Sequence, residues 1–144
     1  MLSPLLLLTL ATASAQEPPP PEVTVRRFVA AFNAHDVDAM LALATPDIAW
    51  FGVAGSTLAV EARGHEALRG GMTAYFQGLP SARSELMSVA VSGPFVTAVE
   101  KASWTADGQD RSQCSVSIYE LTGGLVRHVW YHAAHACEGP PGVP

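Results

Sequence analysis

The sequence predicts an α+β domain in which three N-terminal helices pack on one face of a strongly curved antiparallel sheet. Three observations predict it. Apolar residues recur at helical spacing over 25–44 and again over 64–79. From residue 83 onward the pattern alternates with period two, and glycine-bearing turns interrupt it at regular intervals. Helices gathered before a run of hairpin-linked strands segregate to one side of the sheet, and a sheet folded over three helices leaves a cavity between them.

The elements follow in order. Val25, Phe28, Val29 and Phe32 fall at i, i+3, i+4 and i+7, with Thr24 placed to cap the first helix. Asn33-Ala34-His35 breaks it. Asp36 caps a short second helix whose apolar side is Val37, Met40, Leu41 and Leu43. Thr45-Pro46-Asp47 ends that helix, because the residue before proline avoids helical geometry. Ile48–Val53 reads as a strand with Trp50 and Phe51 on opposite faces, and Gly55–Arg63 as a loop or ragged second strand. Gly64–Leu79 is a third helix; Gly70-Gly71 at its centre points to a bend or a close packing contact. Strands at 83–92, 95–105, 111–121 and 125–135 then form an antiparallel meander through Asp107-Gly108 and Gly123-Gly124 turns. A two-residue Asp107-Gly108 turn sets Lys101 opposite Cys114, and pairing across Gly123-Gly124 brings Cys114 opposite His132.

The front of the chain reads as an address. Leu5–Leu8, Leu10 and Ala11 form an apolar run ending in Ala13-Ser14-Ala15, the small-x-small pattern of a signal-peptidase site, so residues 1–15 are expected to be a cleaved signal peptide and the domain secreted or periplasmic. The run is too short to span a bilayer, so no membrane association is expected after cleavage. Residues 16–22 hold Pro18–Pro21 and read as a stiff spacer; residues 23–137 are the domain and 138–144 a tail. With 49% apolar and 15% charged residues and a net charge of −5, the chain is globular, and nucleic-acid binding is excluded as an expectation. Export permits a disulfide; the two cysteines, Cys114 and Cys137, read either as buried thiols or as one bridge from the tail to the sheet.

The segment Phe28-Val29-Ala30-Ala31-Phe32-Asn33-Ala34-His35-Asp36-Val37-Asp38 resembles the opening of the NTF2-like, or SnoaL-like, proteins. Gly64-His65-Glu66-Ala67-Leu68 is similar to the start of their third helix, and Tyr119-Glu120-Leu121 with Gly124-Leu125-Val126 to their last hairpin. The resemblance spans about residues 23–135 and implies a cone-shaped α+β barrel with one central pocket, often dimeric, on a fold that hosts isomerases, dehydratases, cyclases and non-catalytic binders. The nearest local likeness is to ketosteroid isomerases. Their oxyanion-donating tyrosine is matched by Phe28, their aspartate base falls near Gly52, and their protonated aspartic acid near Ser117. With no base and no donors at those positions, that mechanism is not expected.

The remaining candidates lie on the strands. In Arg127–His132, period two puts His128, Trp130 and His132 on one face, which the resemblance directs toward the pocket; there either histidine has the chemistry of a neutral-pH acid or base. The alternative is that they sit on the outer face. Glu100 is the best carboxylate base if the hairpin register turns it inward. Phe28, Phe32, Trp50, Phe76 and Trp130 are expected to share pocket and core. His128 and His132, roughly 13 Å apart on a strand, cannot hold one ion. His132 with His135 has only Glu138 as a nearby carboxylate, so no metal is expected. No nucleophile motif and no phosphate-cradling loop occurs, and no cofactor is expected. Two functions follow: a pocket for a small hydrophobic molecule, or a cofactor-free isomerase, dehydratase or cyclase working through a pocket histidine.

Overall fold

The computed structural model describes residues 16–137; the expected signal peptide, Glu138 and the tail lie outside the described residues. Helix α1 spans Pro21–Asn33. It opens one turn earlier than Thr24 suggests, because Pro21 occupies a first-turn position where a missing N–H costs nothing and a fixed φ suits the helix. Thr24 is instead buried and donates its hydroxyl to the carbonyl of Gly124 at 2.9 Å. The proline run also touches this turn: a Cβ on Gly124 would stand 3.0 Å from Pro18 and Pro19. Helix α2, Val37–Ala42, is capped as expected, with Asp36 accepting from the Ala39 amide at 2.9 Å. Helix α3 runs unbroken over Gly64–Gly78. Nothing lies within 4 Å of a Cβ built on Gly70 or Gly71, which overturns the close contact expected there.

Six strands follow or interleave: β1 Ala44–Ala54, β2 Thr57–Arg63, β3 Arg83–Ser92, β4 Phe95–Ala106, β5 Gln109–Thr122 and β6 Leu125–His132. They make one sheet in the order β2-β1-β6-β5-β4-β3. The last four form the expected meander, and β1 joins it by pairing in parallel with β6. Helix α2 ends at Ala42 and β1 begins at Ala44, so Thr45-Pro46-Asp47, expected to end the helix, lies inside the strand instead.

Register decides what faces inward. Lys101 lies opposite Cys114, as the Asp107-Gly108 turn requires. Between β5 and β6, Glu120 pairs with His128 but Leu121 with Val126, leaving Arg127 as an extra residue. A bulge of this kind flips the faces of the strand beyond it. Val126 and Val129 are therefore both fully buried, and His128 and Trp130 are turned out. Cys114 does not lie opposite His132 but bridges His135 beyond the end of β6, with which it exchanges backbone hydrogen bonds of 2.9 and 2.8 Å. Cys114 and Cys137 are joined as a disulfide that ties residues 133–137 alongside β5.

The core lies between the helices and the narrow end of the sheet. Phe28, Met40, Leu41, Ile48, Leu68, Val96, Tyr119, Val126 and Val129 are its main members. Each contributes roughly 1.5–3 kcal/mol by leaving water. Phe76 belongs to this layer, packed on Phe32 and stacked on His35 with centroids 4.1 Å apart.

Candidate functional site

The wide end of the sheet does not close on the helices. It encloses a cavity of about 540 Å³, within the size range of small-molecule sites. Phe28 and Phe32 of α1, Met72 and Tyr75 of α3, and Trp50 of β1 supply the apolar wall. Trp50 lies flat on Tyr131, with centroids 5.2 Å apart and planes 4° from parallel.

One polar cluster interrupts this wall. Even-numbered residues of β4 face inward, which buries Glu100 to 3% exposure. Its Oε1 accepts from Ser117 at 2.6 Å and from Tyr119 at 2.5 Å. Its Oε2 accepts from Ser84 at 2.8 Å and from Tyr131 at 2.5 Å. The donors come from β3, β5 and β6, the three strands that curl around β4 or complete the meander. Burial first, and then the neighbouring Glu100, holds the Tyr119 phenol well above its ordinary pKa. Burial also dominates at Tyr131, reinforced by Tyr119 and Glu100. Both therefore keep their protons and act as donors.

The cavity mouth carries Glu61, His132, Gln113 and Thr57. Gly52 faces the cavity, and the space a side chain there would fill is taken by the Glu61 carboxylate from the adjoining strand. Among the described residues, no Lys or Arg lines the cavity.

The sequence candidates divide. Phe28, Phe32, Trp50, Glu100 and His132 line the cavity. His128 and Trp130 do not. The Arg127 bulge turns them to the outer face, where His128 Nδ1 meets Glu120 Oε2 at 2.6 Å and Trp130 stacks on Phe51. Their expected place toward the pocket is thus corrected, and Tyr131 takes it. Phe76 is likewise core rather than lining. Ser84, Ser117, Tyr119 and Tyr131 were not legible as a site: each is unremarkable in its strand, and only the register gathers them on Glu100.

A model of the SnoaL-like domain matches residues 25–129. The chain belongs to the SnoaL-like domain family. Solved structures agree on the fold. An uncharacterized cystatin-fold protein from Novosphingobium aromaticivorans is 25% identical, with a TM-score of 0.67 over 77% of this chain and 96% of that one. A SnoaL-like polyketide cyclase candidate from Jannaschia sp. CCS1 is 19% identical, with a TM-score of 0.66 over 81% and 90% of the two chains. TerC, crystallised with polyporic acid, is 16% identical, with a TM-score of 0.67 over 78% and 90%. No curated protein matches the sequence. Among the described residues of this SnoaL-like protein, no helix is long and apolar enough to cross a membrane.

Proposed function

We propose that this SnoaL-like protein binds a small, largely hydrophobic molecule in its central cavity. The observation that carries the reading is the cavity itself: an aromatic enclosure of about 540 Å³ with one satisfied polar cluster at its buried end. Apolar walls supply affinity and a few placed polar groups supply orientation. The crystallisation of TerC with polyporic acid supports a fold able to hold such a molecule. Export to the periplasm or exterior is part of the proposal, supported by the Leu-rich start with Ala13-Ser14-Ala15 and by the Cys114–Cys137 disulfide.

A second reading is a cofactor-free isomerase, dehydratase or cyclase. Its support is that Glu100 and His132 line one cavity. Against it, all four acceptor positions of Glu100 are already filled by hydroxyls, so the carboxylate serves the cluster before it serves a substrate.

The test is native mass spectrometry and Nile red titration of the purified domain. One apolar occupant, or one Nile red site, is expected in the wild type and in His128→Ala, and loss of it in Ala102→Phe, which fills the cavity. Absence of a stoichiometric site in the wild type, or unchanged binding in Ala102→Phe, overturns the reading.

A further inference from the structure

The direction of the hydrogen bonds at the buried end of the cavity restricts what can bind there. A carboxylate offers about four acceptor positions, and Glu100 receives four donors: Ser117 and Tyr119 on Oε1, Ser84 and Tyr131 on Oε2. A hydroxyl has one proton. Each of these four has directed it at Glu100. What Ser84, Tyr119 and Tyr131 present to the cavity is therefore lone pairs alone. At the mouth Glu61 adds another acceptor, and among the described residues no lysine or arginine lines the cavity to balance either carboxylate.

Donors do remain in the lining: the Trp50 indole N–H, the hydroxyls of Thr57, Tyr75 and Ser115, the Gln113 amide and His132, none of them bonded to Glu100. Along β5 the inward positions run Tyr119, Ser117, Ser115, Gln113, from fully buried to exposed. The protons of Ser115 and Gln113 thus lie toward the open end, with that of His132, which is exposed at the end of β6. The hydroxyls bonded to Glu100 thus make one acceptor-only patch in a lining whose donors stand on other side chains.

Resting on the ligand-pocket reading above, the geometry points to an aromatic or polycyclic ligand whose buried head is a hydrogen-bond donor, a hydroxyl or an amine, and which carries no carboxylate at that end. A donor head completes the lone pairs of Tyr131, Tyr119 or Ser84. A carbonyl, ether or carboxylate head meets acceptor with acceptor and leaves buried groups unpaired, which is costly in a dry site. This polarity is the reverse of an oxyanion hole, which presents donors. The Glu100 cluster sets it, since the carboxylate consumes every proton around it.

The experiment uses one skeleton and four heads: 2-naphthol, 2-naphthylmethylamine, 2-methoxynaphthalene and 2-naphthoate, titrated calorimetrically into the full domain. The naphthol or the amine is expected to bind about tenfold or more tighter than the ether, with naphthoate weakest; which of the two is tighter identifies the head. Glu100→Gln, nearly the same shape, supplies an amide donor and releases hydroxyl protons to the cavity, so the gap between naphthol and ether should shrink to threefold or less while circular dichroism stays native. Equal affinity of naphthol, amine and ether in the wild type, tightest binding of naphthoate, or an unchanged gap in a folded Glu100→Gln overturns the inference. Should that variant not fold, the wild-type ranking alone decides. Binding of all four heads without preference sinks this inference and leaves the pocket standing; binding of none sinks both.

Discussion

Tyr119 and Tyr131 bring their hydroxyl oxygens within 3.1 Å of each other, yet each phenol gives its proton to a different oxygen of Glu100. Two strands, β5 and β6, are thereby pinned to a third, β4, at one carboxylate. The cluster therefore has a structural role, and its removal has a cost that can be measured.

Tyr119→Phe removes one donor from a buried carboxylate and should cost about 2 kcal/mol of stability. Glu100→Ala leaves the fully buried hydroxyls of Ser117 and Tyr119 without an acceptor and opens a void, so a loss of about 3 kcal/mol or more is expected. Urea unfolding with an unchanged slope checks both. A loss under about 0.5 kcal/mol for Glu100→Ala would mean that water takes over the carboxylate's role.

The tyrosines predict alkaline behaviour. The pKa of Tyr119, of Tyr131 and, by burial alone, of Tyr75 stands above the reference value of 10.0. Below about pH 10 the folded and unfolded states both hold these protons, and the contribution of the native environment is fully present. As pH rises further, the unfolded chain loses its protons first, so stability falls through the native pKa values. The phenolate absorbance of the native protein should therefore rise at higher pH than that of the protein in denaturant. Superimposable titrations would contradict the buried cluster.

The Cys114–Cys137 disulfide closes a loop with a sequence separation of 23. Cys137→Ser, or reduction, should cost about 3 kcal/mol by the chain-entropy argument. Thermal unfolding with and without reductant measures it. The disulfide holds residues 133–137, and Ala133 and Ala134 line the cavity, so under the proposed binding role reduction should also speed release of Nile red.

Element type and order were legible because the periods are clean: Val25, Phe28, Val29 and Phe32 can lie together only on a helix, and Asp107-Gly108 fixes the register that faces Lys101 with Cys114. The candidate site was half legible. Glu100 depended on that same register, and the turn supplied it. The error at His128 and Trp130 came from one residue, Arg127, whose insertion inverts the faces of β6. Nothing in Leu125–His132 announces a bulge, because both faces carry aromatic residues and either fits a core. The start of α1 was set late by Thr24, whose hydroxyl finds its partner a hundred residues away at Gly124, a contact no local pattern contains.

The parallel seam between β1 and β6 has a kinetic consequence. Trp50 finds its neighbour Val129 only when the last strand arrives. Without β6 the sheet order β2-β1-β6-β5-β4-β3 falls into two ribbons, β2-β1 and β5-β4-β3, with no strand pairing between them. Contacts so distant in sequence must wait for a long loop to close. A chain that stops short of β6 therefore lacks Tyr131, His132 and the parallel seam on β1 that complete the cavity wall.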